Sequence, residues 1–211
     1  MTKLTLAILL GSALLLLAAC DSGGEFKFRV INNTSFPLYV NVADGPQDTI
    51  AAGGTRVFDL SSAKQRLFNP DVEKEVPVRM IGETYQIAYE TETGIAYTDS
   101  TSVTIQAGKT LSAYISPNRA SFKVVNNSSR NVERAILYSH NFVAPTLVTD
   151  LGWIPSGESK FACVNYATNN NTFYYLAQVK MESDSTFVHY GSATNILEKD
   201  QQFLITLTDP E

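Results

Sequence analysis

From Phe26 onward the apolar positions recur with a period of two. Phe26, Phe28 and Val30 alternate with Lys27 and Arg29, and Leu38, Val40 and Val42 alternate with Tyr39 and Asn41. Successive side chains of an extended strand point to opposite faces, so this pattern predicts half-buried strands. Between the two runs, Asn32-Asn33-Thr34-Ser35-Phe36-Pro37 reads as a turn, because Asn, Ser and Thr side chains bond nearby backbone and Pro37 cannot donate to a ladder. Further strands are predicted at Thr55–Leu60, Val76–Ile81, Tyr85–Glu90, Ile95–Thr98, Thr101–Ile105 and Thr110–Ser116, with turns at Gly53-Gly54 and Ala107-Gly108-Lys109. The segment Ser61–Phe68 reads as a helical turn, ended by Asn69-Pro70.

The second half repeats this plan. Phe28–Ser35 is echoed by Phe122–Ser129 at an offset of 94, and Ile50–Phe58 by Ile154–Ala162 at an offset of 104. Ile87–Glu92 matches Val179–Asp184 at 92, and the same offset carries Ile105 to Leu197 and Leu111, Ala113 and Ile115 to Phe203, Ile205 and Leu207. Three blocks in one order predict two copies of one β-domain, 26–117 and 120–209, joined near Ser116-Pro117-Asn118-Arg119. Short strands without helical spacing predict an all-β fold of two tandem immunoglobulin-like β-sandwiches, although neither copy has the Cys…Trp…Cys core of an antibody domain.

The start of the chain breaks the pattern. Lys3 and the apolar run Leu4–Leu17 have the n-region and h-region of a secretory signal, and the run is short for a membrane span. With the small residues and cysteine that follow, Leu17-Ala18-Ala19-Cys20 resembles the lipobox of bacterial lipoproteins. The resemblance implies that residues 1–19 are removed and that Cys20 carries the lipid, so the membrane itself is a partner. Residues 20–25 then read as a tether, in which the five residues after Cys20 reach about 17 Å when extended. Asp21 after the lipidated cysteine resembles an inner-membrane retention signal of enteric bacteria.

Charge narrows the partners. The chain carries 16 Lys+Arg against 21 Asp+Glu, a net −5 that becomes more acidic once Lys3 is lost, so a nucleic-acid partner is not expected. With Cys20 lipidated, Cys163 has no disulfide partner and reads as a small buried apolar residue.

Candidate chemistry is sparse. His140 and His189 have no second ligand at a metal-binding spacing, and His189 aligns with Tyr97 at the offset of 92. There is no Gly-x-Ser-x-Gly elbow, and Ser139-His140 has no orienting third group. Glu90 with Glu92, and Glu182 with Asp184, read as solvated hairpin tips, with a weak calcium site as the sharper alternative. Asp44-Gly45-Pro46-Gln47-Asp48 reads as a turn before a ligand loop. No catalytic residue, metal or cofactor is therefore expected.

The aromatic residues of the second copy offer more. In Phe173-Tyr174-Tyr175, parity with Ala177, Val179 and Met181 sends Tyr174 outward. About ten extra residues precede Ile154 in this copy. Trp153, Phe142 and Tyr174 are accordingly the candidate ligand-binding residues, on a loop between Asn131 and Trp153 and the strand beside it.

The Asn-Asn-Ser/Thr turn, the Ile-x-x-Gly turn and Gln106-Ala-Gly-Lys-Thr110 are similar to those of a loose group of uncharacterised bacterial lipoproteins with tandem immunoglobulin-like or transthyretin-like sandwiches. That resemblance implies a fold and carries over no functional residue. The expected protein is a lipid-anchored cell-envelope protein with a non-catalytic binding, adhesive or structural role toward an envelope protein or glycan. A carbohydrate-binding module is the alternative, with an envelope hydrolase behind it.

Overall fold

The computed structural model describes residues 23–64, 73–141 and 144–209. Among them every regular element is a strand. The first copy holds β1 (Gly23–Asn32), β2 (Leu38–Val42), β3 (Asp48–Ile50), β4 (Thr55–Lys64), β5 (Glu73–Gly82), β6 (Tyr85–Thr91), β7 (Gly94–Thr98), β8 (Ser100–Gln106) and β9 (Thr110–Ile115). The second holds β10 (Ala120–Asn126), β11 (Val132–His140), β12 (Pro145–Asp150), β13 (Ser159–Val164), β14 (Tyr174–Met181), β15 (Val188–Tyr190) and β16 (Gln202–Leu207).

Each copy is a two-sheet sandwich. One sheet has the order β4-β1-β9 in the first copy and β13-β10-β16 in the second, with the first and last strands parallel in both. The facing sheet pairs β3, β2, β5 and β8 in the first copy and β12, β11, β14 and β15 in the second. Alternation sets what lies between the sheets: Phe26, Phe28, Val30, Leu38, Val40, Val76 and Val78 form one apolar cluster, and Phe122, Val124, Val132, Leu137, Ala177 and Ile205 another. Full burial of each such large aliphatic or aromatic side chain contributes about 1.5–3 kcal/mol. The two clusters share no residue.

The repeated Asn-Asn-Thr/Ser segment is more than turn chemistry. Asn32 is fully buried: its amide donates to the carbonyls of Phe36 (2.8 Å), Ile50 (3.0 Å) and Ala51 (3.1 Å), while its Oδ1 accepts from Thr34 N and Oγ1. Asn126 repeats this with Arg130 O, Ile154 O and Ser128. One buried amide thus ties the loop after the first strand to the turn after Ile50 or Ile154. Gly53 (φ 68) and Gly157 (φ 77) occupy matching left-handed positions in that turn.

Three expectations are corrected. Gly23–Glu25, read as tether, are the first residues of β1, and Gly23 and Gly24 pair with Lys64 and Ala63. The same pairing makes Ser61–Lys64 strand rather than helical turn, since ladder bonds to β1 outweigh weak local propensity; the rest of Ser61–Phe68 lies outside the described residues.

The third concerns the repeat. Leu38 faces Ile50 and Gly82, and Val132 faces Ile154 and Met181, so Gly82 corresponds to Met181 and β5 to β14. The match of Ile87–Glu92 with Val179–Asp184 is therefore wrong. The hairpin β6–β7 is an insertion of the first copy, and Tyr97 has no counterpart at His189. The offset of 92 does hold for the last strand, where Phe28 faces Leu111 and Phe122 faces Phe203.

Candidate functional surface

The aromatic residues singled out in the second copy do not converge. Tyr174 faces outward as parity requires, with Tyr175, Ala177 and Val179 buried beneath, and its ring stacks on His140 at 5.2 Å. His140 and Tyr174 are cross-strand partners at one end of β11. Trp153 precedes Ile154, which bridges to Val132 at the other end of β11, roughly 25 Å away at strand rise. Trp153 is 43% exposed. Phe142, like Cys20, lies outside the described residues.

The extra residues before Ile154 are not a long loop. They lengthen both arms of a hairpin, β11 and β12, beyond the matching β2 and β3 of the first copy. Strand β12 is an edge strand, exposed at nearly every position, with Leu147 59% and Val148 37% exposed. A bulge sits at Val148, where Leu137 faces Thr149 and Tyr138 faces Leu147. Pro145–Thr149 carry no charge, and Asp150 is held by Arg134 at 2.6 Å.

Sequence reasoning placed both strands and the tip of the β6–β7 hairpin but missed that it is an insertion extending past the rest of its sheet. Beyond its root, where Tyr85 and Gln86 face Gly82 and Ile81, β6 pairs only with β7. It exposes Tyr89 on one face and Ile95 and Tyr97 on the other. The signal was a surplus pair of alternating segments around Glu92-Thr93-Gly94 with no partner in the second copy.

The two sandwiches meet through a buried polar junction. Glu83, at the turn between β5 and β6, is fully buried and accepts from Lys123 Nζ (2.6 Å), Gln202 Nε2 (2.6 Å) and Tyr39 OH (3.1 Å). Lys123, Phe161, Cys163 and Gln202 share the outer face of the sheet β13-β10-β16, as their register shows. Phe161 stacks on Tyr39 with centroids 5.6 Å apart. Asp200 accepts from Ser35 N and Oγ and from Thr84 Oγ1 (2.6 Å), and Asn118 and Arg119 donate backbone N–H to Thr84 O. The Arg119 guanidinium lies 4.3 Å above the Tyr97 ring.

Cys163 belongs to this junction. Its thiol donates to Gly82 O at 3.1 Å, and burial pushes its pKa up to about 12, against a smaller pull downward from Arg119. Tyr39 is likewise pushed up to about 12, first by burial and then by the Glu83 carboxylate. A thiol held neutral is a poor nucleophile.

The paired acids have partners in one copy. Glu182 accepts from Asn131, and Asp184 pairs with Arg130 at 2.6 Å. Glu92 occupies the two-residue turn between β6 and β7. Among the described residues no three His, Cys, Asp or Glu side chains are placed to share a metal ion, and no helix is long and apolar enough to cross a membrane.

No family model matches the chain, and no curated protein matches it. Among solved structures it is similar to a DUF3823 family protein from Bacteroides uniformis, with 10% identity, TM-score 0.28, and 79% of this chain and 95% of that one covered. A fimbrial assembly protein from Parabacteroides distasonis is also similar, with 10% identity, TM-score 0.29, and coverage of 87% and 90%. So is the major pilin from Streptococcus pyogenes, with 10% identity, TM-score 0.23, and coverage of 89% and 98%. At these values the likenesses carry no argument, and the fold stands on the strand pairing itself.

Proposed function

We propose that this chain is anchored to a bacterial membrane by lipid on Cys20 and acts in the cell envelope as a non-catalytic binding or adhesive element. The lipobox-like Leu17-Ala18-Ala19-Cys20 supports the anchor, and β1 beginning at Gly23 holds the first sandwich close to the lipid. The junction around Glu83 sets the second sandwich in one orientation on the first.

The observation that carries the binding role is β12. Exposed edge strands are normally blunted by charge, proline, a bulge or a cover, because their free N–H and C=O groups recruit other strands; β12 has Pro145 and the bulge at Val148 but no charge before Asp150. Here an uncharged run with exposed Leu147 and Val148 forms the edge of a four-stranded sheet. An extended segment of an envelope protein added there gains main-chain hydrogen bonds along β12 and side-chain contact with Leu147. A photo-crosslinking side chain at position 147, activated in living cells, should capture an envelope protein. The same side chain at Arg29, on the outer face of the other sandwich, should not. Equal capture at both positions, or none at 147, would sink the edge-binding role.

A further inference from the structure

A second surface, in the first sandwich, has the chemistry of a ligand site. Leu38, Val40, Val42, Val78 and Met80 face the core, so the residues between them point outward from β2 and β5. The register sets Tyr39 opposite Ile81 and Asn41 opposite Arg79 on that outer face. A groove of about 360 Å³ runs over it, lined by Tyr39, Asn41, Asp44, Gln47, Arg79 and Asp99. That volume falls within the roughly 300–1,000 Å³ of small-molecule sites, and every residue lining it belongs to the first sandwich. One wall is the turn after β2, where Ala43 and Asp44 take left-handed φ values of 53° and 58°. Toward the junction, Phe161 of the second sandwich backs the Tyr39 ring.

The groove leaves both donors and acceptors open. The side chains of Asp44 and Gln47 make no hydrogen bond or ion pair among the described residues. The Asn41 amide NH₂ donates to Gly45 O, which leaves its Oδ1 open. Arg79 donates Nη2 to Asp99 at 2.7 Å and keeps further N–H groups. Two carboxylates against one guanidinium disfavour an anionic ligand. A hydroxyl both donates and accepts, so a ligand with several adjacent hydroxyls meets this mixed set, and planar amide, carboxylate and guanidinium groups can engage neighbouring hydroxyls in pairs. Tyr39 and Ile81 supply apolar surface for the C–H face of a ring.

We propose that the groove between Tyr39 and Asp44 binds a neutral saccharide. This site goes beyond the β12 edge proposed above and shares no lining residue with it, nor with Trp153 and Tyr174.

The test uses the full two-sandwich chain, titrated with glucose, galactose, mannose, N-acetylglucosamine and their disaccharides while amide resonances are followed. At least one sugar should shift the Asn41 and Gln47 side-chain amides saturably, and stronger binding of the disaccharide would identify a polymer as the source. Asp44→Asn, which tolerates the left-handed backbone, and Gln47→Ala should each weaken binding about tenfold, the loss of roughly one hydrogen bond, with unchanged unfolding midpoints. Trp153→Ala should bind as the wild type does. Absence of groove shifts with every sugar, shifts centred on Trp153 or Tyr174, or undiminished binding by both groove variants would overturn the proposal. Capture at position 147 in cells would then still stand, so the two readings fail separately.

Discussion

Lys123 donates to Glu83 across the junction of the two sandwiches at 2.6 Å, with only 1% of the Glu83 side chain exposed. A carboxylate removed from water to this degree costs several kcal/mol unless it is paired and fully hydrogen-bonded. Tyr39 and Gln202 complete its acceptor set. The orientation of the second sandwich therefore depends on a polar site that tolerates few alternatives.

Removing the cation leaves that carboxylate buried. Lys123→Ala should destabilise the protein by about 3 kcal/mol, at the lower end for broken buried pairs because Lys123 retains some contact with water. Glu83→Gln keeps the shape and frees Lys123 toward solvent, and should cost about 1–2 kcal/mol. Urea denaturation of both variants checks the order; equal effects would show that the charge at Glu83 does not matter.

The junction should also be sensitive to alkali. The Cys163 thiol and the Tyr39 hydroxyl are both raised in the folded protein, to about 12 from ordinary values of 9.0 and 10.0. A raised folded pKa contributes stability that is complete below the unfolded value and lost as pH rises through the folded one. Stability should therefore hold to about pH 9 and fall between about 9 and 12. Cys163→Ser should keep only the part of this fall due to Tyr39. Iodoacetamide should label Cys163 slowly at pH 8, and faster in Lys123→Ala. Rapid labelling of the wild type would place the thiol in solvent.

Each sandwich has its own apolar cluster, so the second should fold alone. A chain beginning at Arg119 is expected to give a cooperative thermal transition and dispersed amide resonances. It should be less stable than the same sandwich in the whole protein, because Lys123, Phe161 and Cys163 lose their cover. A disordered spectrum would mean that the first sandwich is required as a template.

The buried asparagines should be among the least replaceable residues. Asn126→Ala leaves the Arg130 and Ile154 carbonyls and the Ser128 donors without their partner and should cost about 2–3 kcal/mol. Glu92→Ala, at an exposed turn position, should change stability by less than about 0.5 kcal/mol. A similar midpoint for the two variants in thermal unfolding would contradict the role given to Asn126.

Most of the strand plan was legible because one face of each strand is buried: Leu38–Val42 is β2, and Tyr85, Ile95 and Thr110 lie at or beside the starts of β6, β7 and β9. The repeat was legible where turns carry side-chain chemistry, as at Asn32 and Asn126. It was misaligned at Ile87 because period-two segments match one another at any even shift, and only pairing with a distant strand, Leu38 with Gly82 or Val132 with Met181, fixes the register. The same limit hid the surface chemistry. Nothing local in Tyr39, Asp44 and Arg79 tells that they share a groove, and the placement of Trp153 and Tyr174 at opposite ends of β11 depends on that strand's length and partners.

The envelope role depends first on the anchor, and one measurement tests it directly: incorporation of labelled palmitate in cells making the wild type or Cys20→Ala. The wild type should be labelled and should partition with membranes, whereas the variant should remain unlabelled and unprocessed. Label on the Cys20→Ala chain at wild-type level, or none on the wild type, would contradict the account.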